Sequence, residues 1–435
     1  MPDANVEFKI VRDPLHGFIE LTEIENRVLQ TAIVQRLSRI KQLSHSYLVF
    51  PGAVHTRLEH SLGCLHVATR MCERLRFDDE TTKRVRLAAF LHDVGQGPFS
   101  HLFEKPMSWI NGENFSHERV SRLIIEKDPT ITEVMGDETD EVLSLLGGNS
   151  VMSDVISGSL DADKLDYLRR DSLHTGVAYG LFDLERIVRT ICKVTEGDRE
   201  YLAVMEKGRD SLESYRLARY SMHAQVYEHH ARLIADDMFT RAMKIALKEG
   251  VLKKEILDMS ESDFLSNYAL LDDGSIHHLL MSQPGLQCDL IRKLRNRDLL
   301  KRAFVVPLSK DGVRDPIKRD QLIRLSTEEL EKIEEQISAK IGCDRNLVIV
   351  HLQKIQIKLY EEFEQTIGKK EKPILIRNDD GSLDEYESPI SASPNPIRRL
   401  FVFVPADLAI SAKPVCEAEF GVKSLYDPQT KLRPP

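Results

Sequence analysis

Apolar residues recur mostly at helical spacing from about residue 20 to about residue 300. Val85, Ala88 and Leu91 form one such stripe, whereas runs that alternate apolar and polar positions are few. A helix buries one apolar stripe against its neighbours. Stripes repeated over this length therefore predict a body of packed helices.

The pattern changes near residue 300. Short apolar runs typical of strands follow, with one helix predicted around residues 327–339; the runs are AFVVPL, NLVIVHL, ILIR and RRLFVFVP. Residues 368–396 are rich in Lys, Asp, Ser and Pro, which favours an exposed loop or a partly ordered hairpin. We predict a mainly α protein with a helical domain over residues 1–300 and a smaller α/β region over residues 301–435. We assign that region to assembly or regulation.

The composition is that of a soluble globular protein, with 435 residues, 42% apolar and 30% charged. The N-terminal residues lack the basic and apolar segments of a secretory signal, and no apolar run has the length of a membrane span, so we expect a cytoplasmic protein without a membrane partner. The six cysteines form no Cys-x-x-Cys pair and are expected to be reduced core thiols. A net charge of -9 disfavours nucleic-acid binding and requires any phosphate to bind in a local basic pocket.

One dipeptide carries the strongest chemical signal. The apolar run LAAFL ends directly in His92 and Asp93, and GQGPF follows after Val94. A polar and charged pair at the end of a core helix costs free energy unless something compensates it. A divalent metal ion is a natural compensation, because imidazole and carboxylate are both good ligands for it. The dipeptide alone is also compatible with a purely structural role.

Two further segments supply groups of the same kind. Upstream, HTRLEHSLGCLHVATRMCERL predicts an amphipathic helix with His60 on its inward stripe. Downstream, DADKLDYLRRD follows a Ser or Asp cap and carries Asp163 and Tyr167 on one face. A hydrogen-bonded core histidine and a solvated, ion-paired face are the alternatives for these helices taken singly. The order of these groups along the chain, His, His-Asp and Asp, favours one shared metal site.

Several segments together resemble the HD-domain deoxynucleoside triphosphate triphosphohydrolases, a family that includes the mammalian enzyme with an appended sterile-alpha-motif domain. They are VRDPLHGFIEL, QRLSRIKQL, VFPGAVHTRLEHSLG, LHDVGQGPFSHLFE, FSHERV and DADKLDYLRRD. The similarity is dense from about residue 10 to about residue 190, around a metal-site core at about 50–190, and thinner to about residue 240. It implies hydrolysis of a deoxynucleoside triphosphate to the deoxynucleoside and inorganic triphosphate. It also implies a homo-oligomer, either a dimer or a tetramer.

The resemblance implies a role for particular residues. The implied metal ligands are His60, His92, Asp93 and Asp163. They suit one divalent Fe, Mn, Ni or Zn ion, with Mg²⁺ a further expectation on the triphosphate. The implied catalytic group is His101, Glu104 and His117. Imidazoles oriented by a carboxylate can hold water or protonate a leaving group, and we assign the proton donor to His117.

The resemblance also implies which residues bind the nucleotide. Those implied for the phosphates are Arg57, Gln96, Lys164, Arg219 and His223. Arg57 lies one helical turn before His60, from which a guanidinium can reach a phosphate beside a metal, although a surface ion pair is the alternative. Those implied for the sugar and base are Gln42, Leu43, Tyr167, Asp171 and Tyr227. Tyr227 and Asp171 are the candidates for excluding a ribose 2′-hydroxyl.

The sequence departs from the family pattern at Gln96, where the family has a histidine that contacts the phosphate nearest the scissile bond. Glutamine donates a hydrogen bond but carries no titratable proton. Two alternatives therefore stay open: an HD phosphohydrolase for another substrate (a nucleoside monophosphate, a cyclic nucleotide or short single-stranded nucleic acid), and a nucleotide-binding protein without turnover. Gln30 and Ser38 replace an acidic residue and an arginine that read an activating guanine nucleotide, so activation of that kind is not expected.

Overall fold

The computed structural model describes residues 9–113, 115–197, 199–354, 373–386 and 398–431. The chain forms two compact units. The first comprises Met1–Tyr227, Gly250–Leu279 and Glu362–Ser391, and the second comprises Glu228–Glu249, Leu280–Glu361 and Ala392–Pro435. Helices dominate, and the strands form small sheets, which confirms the predicted mainly α class with a smaller α/β region.

Helices and strands are numbered in chain order. The helices are α1 (Glu23–Leu29), α2 (Ala32–Gln35), α3 (Arg57–Leu75), α4 (Asp79–Leu91), α5 (Glu104–Asn111), α6 (His117–Lys127), α7 (Pro129–Met135), α8 (Glu138–Leu145), α9 (Val151–Ser157), α10 (Ala162–Thr175), α11 (Leu184–Thr190), α12 (Arg209–Met222), α13 (His230–Lys248), α14 (Phe264–Tyr268), α15 (Asp273–Leu280), α16 (Leu286–Arg295), α17 (Pro316–Ile323), α18 (Thr327–Ile341) and α19 (Ala409–Phe420). The strands are β1 (Lys9–Asp13), β2 (Gly17–Leu21), β3 (Ile191–Glu196), β4 (Arg199–Met205), β5 (Lys301–Pro307), β6 (Ile349–Lys354), β7 (Leu375–Arg377), β8 (Leu383–Glu385) and β9 (Arg398–Val404). None of the helices described here is long and apolar enough to cross a membrane.

Helix α3 is the central helix of the first unit, and local sequence explains where it begins. Thr56 and Glu59 form a capping box: the Thr56 hydroxyl accepts from the Glu59 N–H, and the Glu59 carboxylate accepts from the Thr56 N–H at 2.6 Å. His60 and Cys64 are buried on this helix, as the apolar stripe predicts. The cap therefore sets His60 in the first turn, facing the core.

Helix α10 starts from an aspartate cap and packs against α3. Asp161 accepts a hydrogen bond from the Lys164 N–H at 2.7 Å, and the helix ends at Gly176, which has a left-handed conformation with φ of 72°. This confirms the predicted Asp-capped helix. Asp163 consequently lies in its first turn.

The loop after α4 packs too closely to tolerate side chains at two positions. A Cβ added at Gly95 would lie 2.2 Å from the Ser121 nitrogen, and one at Gly97 would lie 2.4 Å from the Phe103 ring. Phe99 and Ser100 follow with φ of 58° and 61°, a strained left-handed conformation for residues other than glycine. Backbone of this kind clusters at functional sites, and this loop adjoins His92 and Asp93.

The strands of the described residues form three sheets. In the first unit, β1 pairs with β2, and a second sheet has the order β3-β4-β7-β8, in which β4 and β7 are parallel. The ILIR run therefore belongs to a sheet of the first unit. Part of the predicted loop or hairpin of residues 368–396 is the β7–β8 hairpin, whereas residues 368–372 and 387–396 lie outside the described residues.

The second unit contains an antiparallel sheet of order β5-β9-β6. Buried apolar residues of this sheet and of α18 and α19 form one core, which includes Phe304, Val402, Ile337 and Cys416. Helix α18 matches the helix predicted around residues 327–339, and the AFVVPL, NLVIVHL and RRLFVFVP runs supply β5, β6 and β9.

Candidate metal centre and nucleotide site

The four residues predicted as metal ligands lie together in the first unit. Asp163 Oδ1 is 3.1 Å from His60 Nε2 and 3.8 Å from His92 Nε2. Asp93 Oδ2 is 3.5 Å from His92 Nε2 and 3.8 Å from His60 Nε2. Residues from α3, the end of α4 and the first turn of α10 thus bring two imidazoles and two carboxylates together, and each carboxylate lies within 3.8 Å of both imidazoles.

This donor set suits a divalent metal ion. The Nε2 atom of His92 is buried and has no hydrogen-bond partner among the described residues, so it is free to bind a cation. Burial acts against ionisation of Asp93, but the nearby His92, Arg57 and His117 hold its pKa well below the usual range. Burial opposes protonation of His60 and His92, but the surrounding anionic groups raise the pKa of both imidazoles, so a divalent metal ion would displace their protons when it binds.

The donor atoms of His60, Cys64, His92 and Asp163 all lie within 4.8 Å of one another, and Asp93 is not part of that group. The Cys64 Sγ is 3.5 Å from both Nδ1 and Nε2 of His60. A metal ion binds His60 along the direction of the Nε2 lone pair. Because the sulfur is equally far from the two ring nitrogens, it lies away from that direction. We therefore place the thiol beside the imidazole and outside the ligand set. Every described cysteine is unpaired, which agrees with the predicted reduced thiols.

The sequence reasoning missed the residues that orient His60. Asp166 Oδ2 is 2.8 Å from His60 Nδ1, and Asp166 Oδ1 is 2.7 Å from His16 Nε2. Arg170 donates to Asp166 Oδ2 at 2.9 Å and to Asp13 Oδ2 at 2.8 Å. A carboxylate at Nδ1 fixes the tautomer that leaves Nε2 as the ligand atom. The spacing Asp163, Asp166 and Arg170 on α10 was the available signal.

Replacing Arg170 by methionine is expected to lower the free energy of unfolding by about 3 kcal/mol, because Asp166 and Asp13 then stay buried without their cation. Urea unfolding followed by circular dichroism measures this. Arg189→Met is the matched control: Arg189 pairs with Glu185 at the same i,i+4 spacing but is exposed, so no change in the midpoint is expected. Equal destabilisation by both substitutions would contradict the role given to the buried network.

The predicted catalytic group lies next to the ligand cluster. His117 places Nε2 3.1 Å from Asp93 Oδ1 and Nδ1 2.5 Å from Glu104 Oε1, and His101 Nδ1 is 3.0 Å from the same Glu104 oxygen. Burial opposes protonation of His117, but its hydrogen bonds to Asp93 and Glu104 raise its pKa to about 10. Glu104 thus joins the two imidazoles, of which His101 is the exposed one.

The predicted phosphate-binding side chains next to the metal cluster already have protein partners. Arg57 is buried and donates to Asp93 and to Ser100 Oγ, while Lys164 donates to Asp161 Oδ2 at 2.8 Å. Gln96 is fully buried, with its Nε2 3.4 Å from Asp93 Oδ1. Arg57 and Gln96 therefore contact a predicted metal ligand, whereas Lys164 lies beside Asp163 along α10.

The predicted sugar residues are joined by a hydrogen bond. The Tyr227 hydroxyl donates to Asp171 Oδ2 at 2.7 Å, and the Tyr227 ring meets the Tyr167 ring edge-on at 6.3 Å. Tyr167 in turn meets the His60 ring edge-on at 6.4 Å. This chain of ring contacts places Tyr227 on the Tyr167 side of the metal cluster. Gln42 and Leu43 are both buried, and the Gln42 backbone N–H donates to the carbonyl of His55.

Arg219, His223 and Tyr227 are four residues apart, a spacing that places side chains on one face of a continuous α-helix, but the structure departs from such a helix. Helix α12 ends at Met222, and a π-helical turn covers His223–Tyr227. A π-helical turn holds more residues than an α-helical turn, so the side chains after it project from a different face of the helix. Turns of this type are frequent at functional sites. The His223 ring still lies 4.7 Å from the Tyr227 ring. Burial raises the pKa of Tyr167 to about 12, and the positive charge of Arg219, in the last turn of α12, acts to lower that pKa.

A helical body that presents clustered histidines and aspartates to one metal site is typical of metal-dependent hydrolases. Comparison with known proteins agrees. The HD domain model matches residues 57–171, and the HD associated region model matches residues 182–372. An uncharacterized protein of Methanocaldococcus jannaschii is 30% identical over 390 residues, which cover 89% of this chain and 76% of that protein.

Two further similarities carry functional names. A Dictyostelium discoideum protein named deoxynucleoside triphosphate triphosphohydrolase SAMHD1 homolog is 29% identical over 329 residues, which cover 70% of this chain and 62% of that protein. The crystal structure of a phosphohydrolase from Bacteroides thetaiotaomicron superposes with a TM-score of 0.72 at 26% identity, covering 92% of this chain and 100% of that one. The chain belongs to the HD-domain family of phosphohydrolases.

Proposed function

We propose that this hydrolase converts deoxynucleoside triphosphates to deoxynucleosides and inorganic triphosphate. The observation that carries the proposal is the Tyr227–Asp171 hydrogen bond beside the His60 and Asp163 cluster. In the proposed complex the deoxyribose lies against the edge of the Tyr227 ring, where a ribose 2′-hydroxyl would clash. The names of the similar SAMHD1 proteins support the same substrate class.

In the proposed mechanism, His60, His92, Asp93 and Asp163 hold one divalent metal ion. When bound, such an ion polarises a phosphoryl oxygen and lowers the pKa of a water ligand. Arg57, Lys164, Arg219 and His223 neutralise the triphosphate, with Gln96 donating a hydrogen bond to it.

The proton transfers are assigned to the neighbouring group. Water attacks the α-phosphorus and releases one proton to solvent, while the bond from the α-phosphorus to the sugar 5′-oxygen breaks. His117 donates a proton to that leaving oxygen and regains one from solvent. Glu104 holds His117 in place, since its Oε1 lies 2.5 Å from His117 Nδ1. His101 shares Glu104 and orients the attacking water.

Gln42, Leu43 and Tyr167 are proposed to lie near the sugar and base, and Asp171 with Tyr227 to exclude ribonucleotides. We further propose that the enzyme is a cytoplasmic homo-oligomer, in keeping with the closed symmetry of most soluble assemblies. Residues 301–435 are proposed to serve that assembly or its regulation, and residues 1–300 to carry the chemistry.

The proposal is tested by product analysis of the purified protein with the four deoxynucleoside triphosphates, the four ribonucleoside triphosphates and their monophosphates, with manganese or magnesium added. The expected result is inorganic triphosphate and deoxynucleoside from the deoxy substrates only. Release of monophosphate and pyrophosphate would overturn the proposed bond cleavage. Turnover of monophosphates alone would assign the enzyme to another branch of the HD phosphohydrolases, the alternative that Gln96 leaves open.

A further inference from the structure

His55 is a buried residue in the turn before α3, and nothing in the proposed mechanism uses it. Its backbone is held from two sides: its carbonyl accepts from the Gln42 N–H at 3.0 Å, and the following residue, Thr56, caps α3. Its ring stacks on His174, with centroids 4.4 Å apart and an interplanar angle of 18°. The backbone of His55 is therefore held in one position, and its ring lies flat against the His174 ring.

The polar contact of this imidazole goes to Asp171. His55 Nε2 lies 2.7 Å from Asp171 Oδ1, and both side chains are buried. Because the carboxylate accepts, Nε2 carries the proton, and Nδ1 is left as an acceptor. That Nδ1 atom is buried and has no hydrogen-bond partner among the described residues. Among the described residues, the His55 imidazole thus makes one hydrogen bond, which it donates to Asp171.

Asp171 consequently receives one donor on each oxygen. His55 donates to Oδ1, and the Tyr227 hydroxyl donates to Oδ2, each at 2.7 Å. A carboxylate that is 1% exposed cannot replace a lost donor with bulk water. If the bond to Oδ1 is removed, the carboxylate is free to rotate toward another donor, and the Tyr227 hydroxyl moves with it.

We infer that His55 is a positioning residue for sugar discrimination, which acts through Asp171 on the edge of Tyr227. The inference rests on the proposed function, since it supposes that Tyr227 excludes a ribose 2′-hydroxyl. Among the described hydrogen bonds and ring contacts, His55 touches neither the predicted metal ligands nor the side chains predicted to bind the phosphates. Its loss should therefore relax the choice of sugar more than it slows hydrolysis of the preferred substrate.

The test compares kcat and KM for each deoxynucleoside triphosphate and its ribonucleoside counterpart in the wild type and in variants. In His55→Leu, the ratio of kcat/KM for deoxy over ribo substrate is expected to fall about tenfold, the scale on which a small misplacement of a binding group acts. Bound metal, measured by mass spectrometry, is expected to stay at the wild-type level. His55→Gln is expected to keep most of the wild-type ratio, because its side-chain amide can donate to Asp171 from nearly the same position as His55 Nε2.

His174→Leu is the matched control, because it removes the stacked ring without touching Asp171, and it is expected to keep the wild-type ratio. If His55→Leu does not fold, His55→Asn makes the same test, since its amide is too short to reach Asp171. A wild type that prefers deoxy substrates, together with unchanged ratios in the His55 variants, would overturn the inference and leave the proposed function standing. A fall of the ratio in His174→Leu equal to that in His55→Leu would also overturn it. A wild type that hydrolyses no triphosphate of either kind would overturn both.

Discussion

Replacing His92 and Asp93 together by alanine is expected to leave a folded protein that binds no transition metal and hydrolyses nothing. These residues supply one imidazole and one carboxylate of the cluster, and His60 with Asp163 cannot complete a site by themselves. Losing the charge stabilisation of even one well-placed group costs about two to three orders of magnitude in kcat. Loss of the metal removes the water activation as well. Inductively coupled plasma mass spectrometry and the product assay measure the two effects on one preparation.

Cys64→Ala is the matched control for this experiment. Its Sγ belongs to the same group of donor atoms but lies beside the His60 ring, so both metal content and turnover are expected to stay near wild type. Loss of metal in Cys64→Ala would place the thiol in the ligand set. Full metal content in the His92 and Asp93 double variant would contradict the whole assignment of the site.

Replacing His117 by asparagine is expected to lower kcat by about a thousandfold, within the range by which one positioned acid or base accelerates a reaction. Asparagine keeps a polar group near the Nδ1 position but has nothing at Nε2, the atom that lies 3.1 Å from Asp93. It therefore cannot deliver a proton to a leaving oxygen. KM and metal content are expected to change little, because His117 is not among the predicted ligands.

The comparison variant is His101→Asn, which alters the exposed partner of Glu104 and leaves the His117–Glu104 bond intact. A smaller loss of kcat is expected there, since His101 orients water without donating the proton. Equal losses in the two variants would contradict the separate roles. A triphosphate ester with a more acidic leaving alcohol, such as 4-nitrophenol in place of the deoxynucleoside, should partly restore kcat in His117→Asn, because its leaving oxygen needs no proton.

Local sequence was sufficient to predict the helices that carry the predicted metal ligands, whereas the ligand set itself was implied by the resemblance to the HD-domain family. His60, His92 and Asp163 each lie at a helix end or in a first turn, and the residues that place them there are immediate neighbours. The Thr56 cap, the apolar run before His92 and the Asp161 cap all act within a few residues. For this reason the helices that carry the cluster were predictable, and the order of the three segments indicated one shared site.

The partners of these residues could not be found in the same way. Asp166 binds His16 across 150 residues of sequence, and Asp171 binds His55 across 116. Which histidine meets which carboxylate depends on how the helices pack, and a helical periodicity says only that a side chain faces inward. The orientation of Tyr227 could not be predicted either, because the spacing of Arg219, His223 and Tyr227 does not indicate that a π-helical turn lies between them.

The sequence by itself determined the mainly α class, the caps, the inward faces of the helices and the motif residues that identify a metal site. Only the tertiary structure decided the pairing of β4 with β7, where Ala203 lies opposite Leu375, and the hydrogen bonds that orient His60 and Asp171. The physical reason is range. Capping and amphipathic periodicity act over one or two turns, whereas strand pairing and buried ion pairs join segments that come together only when the whole core packs.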